Sequence, residues 1–323
     1  MIKRKVFVSG HLGMAGSAIS RLLLQDPDIH LIVRSRKELD LTDQSKVREF
    51  FSSNKIDEVY IAAARVGGIM ANDNFPAEFS YENLMIESNL IHESWKSGVK
   101  KLLLLGSSCI YPKLANQPMS EDQLLTGKLE STSEPYAIAK IAGINMCQSY
   151  NRQYSQTHGI KYKSIILSNL YGPGDSFDPQ NSHVISGLIQ KIHTAKKENQ
   201  KSVTLWGTGN PLREFLYVDD LAEACVFVMN VDDALFDKTM NSEYSHINVG
   251  SGIEMKISDL ANLVKQIIGY KGEIKFDSTK PDGAPRKLMD ISKINSLGWK
   301  PQMKFETGLQ NAYNYFLSSK ENS

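Results

Sequence analysis

Tyr136 and Lys140 lie four residues apart in Glu134-Pro135-Tyr136-Ala137-Ile138-Ala139-Lys140. Pro135 suits the first turn of a helix and the residues after it propagate one. The phenol and the ammonium then share a helix face, about one turn apart. An ammonium nearby stabilises phenolate, so the tyrosine can give and take a proton near neutral pH. Alone, such a pair is as readily surface packing. Ser107-Ser108 changes the reading, because it directly follows the apolar run Leu102–Gly106. Hydroxyls at the carboxyl end of a parallel strand point into the crevice where such sheets bind ligands. Ser107, Tyr136 and Lys140 together form a set able to reduce a carbonyl, with the lysine also placed to bond a nicotinamide ribose.

A hydride donor has its own signature near the N-terminus. Gly10, Gly13 and Gly16 follow the apolar run Lys5–Ser9 and open the helical pattern Ala15–Gln25. Glycine allows the tight turn and the approach of a pyrophosphate, and the helix N-terminus supplies free N–H groups and a positive dipole. The next strand, Ile29–Val33, ends in Arg34-Ser35-Arg36-Lys37, with no acid before Glu38. An acid there would serve a ribose 2′-hydroxyl, whereas a guanidinium pairs with a 2′-phosphate. NADPH is therefore the expected cofactor. Its contacts are read as Gly10, Gly13, Met14, Gly16, Arg34, Arg36, Asp40 (near the adenine) and Leu41, with Lys140 and His183 at the nicotinamide end.

Alternating short apolar runs and longer helical patterns must position these groups. Strands are expected at Lys5–Ser9, Ile29–Val33, Val59–Ala63, Leu102–Gly106 and Ser164–Leu170, with helices between them. Such a pattern argues for an α/β fold, a Rossmann-type doubly wound parallel sheet. After Tyr171-Gly172-Pro173-Gly174 the texture is less regular. Strands are expected at Val203–Trp206, Phe215–Val218, Ile247–Val249 and Ile274–Phe276, and helices at Asp219–Met229, Ile257–Ile268 and Gly308–Leu317. Residues 1–175 are thus expected to form the cofactor domain. Residues 176–323 are expected to form mainly a smaller substrate lobe, some of whose elements return to the main sheet.

Composition excludes several classes. The 323 residues are 41% hydrophobic and 23% charged, an ordinary globular balance, with a formal net charge of +1. That charge gives no bulk attraction to nucleic acid or to an anionic membrane. Three scattered cysteines provide neither a disulfide framework nor a structural zinc site, and no metal is expected. Cys147 and Cys225 read as buried small residues. The N-terminal apolar run is too short for a signal peptide, and no segment approaches the length of a membrane span, so a cytoplasmic location is expected.

Longer motifs carry a specific resemblance. They are Val66-Gly67-Gly68-Ile69, Leu105-Gly106-Ser107-Ser108-Cys109-Ile110-Tyr111-Pro112, Glu134 through Ile144, Asn181-Ser182-His183-Val184-Ile185, Arg213-Glu214-Phe215-Leu216-Tyr217-Val218-Asp219-Asp220 and Lys280-Pro281-Asp282-Gly283. Through them the chain resembles, over nearly its whole length, the GDP-L-fucose synthase family of extended short-chain dehydrogenases. The resemblance implies NADPH-dependent epimerisation at C3 and C5 and reduction at C4 of GDP-4-keto-6-deoxy-D-mannose. It implies Cys109 and His183 as the epimerisation acid/base pair, and Lys191, Trp206, Arg213 and Asp282 as substrate contacts. A homodimer is implied as well. Related GDP-4-keto sugars, a 3,6-dideoxyhexose (as in colitose) or a 6-deoxyheptose, share the same chemistry. A non-catalytic nucleotide sensor on this scaffold would not need the intact Ser/Tyr/Lys set. Two departures stand out: Leu12 where many relatives have Arg, and Ser186-Gly187 where relatives often have Pro-Ala.

Overall fold

Val6, Phe7 and Val8 of β1 (Arg4–Ser9) are buried on both faces of the strand, as the centre of a parallel sheet covered by helices requires. A computed structural model describes residues 3–178, 182–240, 245–280 and 282–321. Asn181 and Pro281 of the motifs above lie outside the described residues. β1 turns at Gly10 into α1 (Met14–Leu23), followed by β2 (Ile29–Ile32). Asp43 then caps α2 (Gln44–Ser53), its Oδ1 accepting the Ser45 and Lys46 N–H groups at 3.0 and 3.2 Å.

After β3 (Glu58–Ile61) come the short α3 (Ile69–Asn74) and the long α4 (Pro76–Lys96), which begins on a proline. β4 (Lys101–Leu105) leads through the Ser107 turn to α5 (Glu134–His158). Gly159, left-handed at φ 63°, ends α5 and releases the chain into β5 (Lys161–Leu167).

One expectation is corrected here. Ser164–Leu170 is not a single strand, because the chain leaves the main sheet at Ser168 and continues as β6 (Asn169–Tyr171) in a second sheet. The Ser168 N–H still reaches Val249 O at 3.2 Å, while the next three residues pair with another strand. The remaining elements are α6 (Val184–Lys197), β7 (Ser202–Trp206), β8 (Leu212–Tyr217), α7 (Val218–Asn230), α8 (Asp233–Thr239), β9 (His246–Val249), β10 (Glu254–Lys256), α9 (Ile257–Ile268), β11 (Glu273–Asp277), β12 (Arg286–Lys287), α10 (Ser292–Leu297) and α11 (Phe305–Glu321).

The main sheet is six-stranded and parallel, in the order β2-β1-β3-β4-β5-β9. One apolar layer covers it from α1 and α7, including Ile19, Leu221 and Val228. The other, from α2, α4 and α5, includes Phe51, Leu90 and Ile144. Cys147 and Cys225 are fully buried, one in each layer. β8 is the hub of the second sheet, pairing with β6, β10 and β12, and β11 pairs with β7. A third apolar cluster, with Ile189, Phe215, Leu260 and Phe316, joins α6, α9 and α11 to these strands.

Candidate active site

Every site residue singled out from the sequence lines one cleft of about 1840 Å³. It opens where β1, β3, β4 and β6 end and where α6, β8 and β12 come over them. A smaller cavity near the amino ends of β1 and β3, lined by Arg4, Glu58, Glu223 and Trp299, contains none of them.

At one end the glycine turn leaves a helix N-terminus open. Gly10 has φ +74°, and a Cβ there would come within 2.7 Å of the Ala63 backbone. A Cβ on Gly16 would fall inside the Gly10 carbonyl, so the glycine lets α1 sit directly against the turn. Gly13 caps α1 with no side chain, so the first-turn N–H groups, beginning at Met14, face the cleft uncapped. Leu12, 75% exposed, adds no charge.

Beyond the turn, Glu38 folds back onto its own loop, accepting the Ser35 N–H and hydroxyl at 2.7 Å each. It leaves the rim to Arg34, whose guanidinium lies 5.6 Å over the Phe50 ring, and to Arg36. Arg36 pairs with Glu82 at 3.3 Å, and Glu82 also takes Arg65 at 2.6 Å. Asp40 lines the cleft, but its Oδ1 is engaged by the Thr42 N–H and hydroxyl, which hold its carboxyl below the usual range. Leu41 lies beside it, its carbonyl accepting from Asn89 at 2.9 Å.

The middle of the cleft carries the reactive groups. Ser107 ends the β4 turn, its hydroxyl oxygen accepting the Cys109 N–H at 3.5 Å. Lys140, 2% exposed, donates to Leu105 O at 3.0 Å, sits 2.7 Å from Glu87 Oε1 and lies 5.7 Å from the centre of the Tyr136 ring. Burial pushes the Tyr136 phenol up, with Cys109 and Glu87 adding to the shift. Burial also raises the Cys109 thiol, opposed by the Ser107 hydroxyl and the Lys287 and Lys140 ammonium groups. His183 starts α6 with Nδ1 3.2 Å from Asp175 Oδ1. That bond raises the imidazole, with burial working against it. Ser186 is buried and its hydroxyl donates to His183 O at 3.1 Å, so this departure fixes the turn that carries the histidine.

The far end is cationic. Lys191 projects from α6, while Arg213 of β8 is in register with Lys287 of β12. Trp206, 66% exposed, has the Lys280 ammonium 5.5 Å from its ring centre. Asp282 accepts the Thr208 N–H and hydroxyl at 2.9 and 2.7 Å, through space that a side chain on Gly207 would fill.

Sequence reasoning missed five residues of this neighbourhood: Arg65, Glu82, Glu87, Asp175 and Lys287. Asp175 alone carried a signal, as the acid directly after the Gly172-Pro173-Gly174 turn.

Residues 6–250 match the model of the NAD dependent epimerase/dehydratase family. The chain is 51% identical to the GDP-L-fucose synthase of Escherichia coli K12, covering 99% of each. A GDP-6-OMe-4-keto-L-xylo-heptose reductase from Campylobacter jejuni is similar in structure, with TM-score 0.91 and 36% identity over 99% of both chains. A GDP-D-glycero-L-gluco-heptose synthase of the same organism, solved in the presence of NADPH, has the same score and identity over 98% of this chain and 99% of that one. The chain belongs to the NAD dependent epimerase/dehydratase family, among its GDP-L-fucose synthases.

Proposed function

We propose that this protein epimerises GDP-4-keto-6-deoxy-D-mannose at C3 and C5 and reduces it at C4, giving GDP-L-fucose with NADPH as reductant. The observation that carries the reading is that Cys109 and His183, which simple reduction does not need, line the same cleft as Ser107, Tyr136 and Lys140. The 51% identity to a GDP-L-fucose synthase, against 36% to the heptose proteins, favours the 6-deoxyhexose over a heptose.

The chain fits a dinucleotide. The uncapped start of α1 suits a pyrophosphate, and Arg34 and Arg36 suit a 2′-phosphate. Gly10, Gly13, Met14 and Gly16 would hold the first, Asp40 and Leu41 would border the adenosine, and Lys140 and His183 would flank the nicotinamide end. When bound, NADPH supplies the hydride that reduces C4. In this reading residues 1–175 mainly hold the cofactor and residues 176–323 mainly hold the substrate.

The chain's own residues do the rest. A 4-keto group acidifies the protons on both flanking carbons, and the enolate formed on losing one needs donors at its oxygen, which Ser107 and Tyr136 supply. Asp175 favours the imidazolium of His183, so His183 returns the proton. Cys109 takes the complementary role and removes it; burial raises its thiol, and Ser107, Lys287 and Lys140 oppose that rise. Tyr136 then protonates the C4 oxygen during reduction. Lys191 and Arg213 pair with the diphosphate, Trp206 packs on the substrate and Asp282 accepts ribose hydroxyls.

No helix among the described residues is long and apolar enough to cross a membrane. Exposed Tyr81 on α4 and Ile138 on α5 support a homodimer through these helices.

The decisive test is turnover in D₂O with unlabelled NADPH, the product read by NMR. Deuterium is expected at C3 and C5, with protium delivered as hydride at C4. Cys109→Ser, whose hydroxyl is a far weaker base at neutral pH, should still oxidise NADPH slowly but release unepimerised sugar. A wild-type product without deuterium at C3 or C5 would leave a plain 4-ketoreductase.

A further inference from the structure

Lys140 has three N–H donors and almost no contact with water, so each donor must find a partner in the protein or the cleft. One goes to Leu105 O at 3.0 Å, and a second faces Glu87 Oε1 at 2.7 Å. The third remains for the cleft that Lys140 lines. Glu87 sits on α4, is itself 2% exposed and does not line the cleft, so whatever it does passes through Lys140.

Admitting this carboxylate carries two costs. Burial of the acid pushes its pKa up, against the pull of Lys140, and a buried ion pair is often no more stable than an apolar pair of the same volume. The second cost falls on α5, which has a glycine at 143, where alanine would be the better helix former. A Cβ on Gly143 would take the place of Glu87 Oε2 and come within 2.9 Å of Leu104 Cδ2. Two elements thus give up stability to bring one carboxylate against one lysine.

Other titratable groups near the pair are Tyr136 and Cys147 on α5 and Cys109 on the turn after β4, with Lys287 of β12 beyond it. Burial, then Cys109, then Glu87 raise the Tyr136 phenol, and Lys140, 5.7 Å from the ring centre, carries the charge opposite to that of Glu87.

We propose that Glu87 is a positioning residue for the reduction step: its carboxylate fixes the Lys140 ammonium between Leu105 and the cleft and offsets its charge, so that Tyr136 remains a phenol with a proton to give. The proposal rests on Tyr136 being the proton donor, and the two ideas fail separately. Undiminished NADPH oxidation by Tyr136→Phe would remove the donor, whereas variants at Glu87 interrogate only the pair.

Charge and geometry can be varied independently. Glu87→Gln keeps an acceptor for Lys140 but removes the charge. Reduction needs the protonated phenol and is lost as pH rises through its pKa. An uncompensated Lys140 favours phenolate, so the alkaline limb of kcat/KM should move to lower pH by about one unit. NADPH affinity, read by fluorescence titration, should change less than about threefold. Glu87→Asp keeps the charge but withdraws it by one methylene. Its alkaline limb should stay in place, while NADPH binding weakens about five- to tenfold as the ammonium loses its fixed position. A folded Glu87→Gln protein with the wild-type limb overturns the charge role. If that variant does not fold, Glu87→Asp decides, and wild-type kcat and NADPH affinity in it overturn the positioning role.

Discussion

Asp175 holds His183 through Nδ1, which leaves Nε2 as the nitrogen able to exchange a proton with a substrate. The carboxylate is well shielded, with its side chain 4% exposed, while the imidazole is 47% exposed toward the cleft. This is the arrangement of an acid whose orienting partner is kept from water. Asp175 raises the imidazole, so His183 stays protonated to a higher pH than a free histidine. If His183 is the epimerisation acid, proton return fails as pH rises through that raised value. Asp175→Asn removes the charge, and the pKa then falls. C3/C5 deuterium incorporation should therefore lose its alkaline range toward lower pH and drop about tenfold at neutral pH. NADPH binding measured by fluorescence should hold. An unchanged exchange profile would mean that Asp175 serves only the turn. Little in the sequence disclosed this partner, since a lone acid after a Gly-Pro-Gly turn reads as turn chemistry. Tyr136, Lys140 and Ser107 were legible because helix period and strand-end placement dictate where their side chains go.

The elements of the main sheet were legible for a related reason. A run buried on both faces, such as Leu102 to Leu105, has little to be except a central parallel strand. What escaped was decided by tertiary pairing. β12 is two residues long and β10 three, and both exist because β8 offers them an edge. The break at Ser168 is invisible in Ser164–Leu170 because both halves are extended, and only the partner strand differs. α6 did carry a helical period in Ile185, Leu188, Ile189 and Ile192, masked by its β-branched content and by Gly187. At the glycine turn, by contrast, sequence and packing agree, and the dependence can be measured. Gly16→Ala places a methyl group inside the Gly10 carbonyl, so α1 must move away from the turn that aims its N-terminus. NADPH affinity should fall about tenfold or more, with a melting temperature lower by several degrees, about what 1–2 kcal/mol removes from a chain of this size. Wild-type affinity in a folded Gly16→Ala protein would place the pyrophosphate elsewhere.

For the whole molecule, a formal net charge of +1 leaves recognition of two anionic nucleotides to local cations. Arg34 and Arg36 stand at one end of the cleft, Lys191 and Arg213 at the other, with the reactive groups between. The helix that carries Tyr136 and Lys140 is therefore a structural pivot, and its remaining surface matters. α5 turns Lys140, Gly143, Ile144 and Cys147 inward, packs along α4, and leaves Ile138 48% exposed. On α4, Phe79, Glu82 and Ile86 face the cleft, while Tyr81 is 61% exposed. Two long helices side by side with outward apolar residues suit the two-fold pairing of identical subunits, in which each patch meets its own copy. The dimer would buttress the catalytic helix from the side opposite its chemistry. Sedimentation velocity at micromolar concentration should give twice the chain mass for the wild type. Ile138→Asp would bury a carboxylate in such an interface and should shift the population to monomer, with a lower melting temperature. A wild type that sediments as a monomer removes the dimer from this account. A dimer that persists in Ile138→Asp moves its interface off α5.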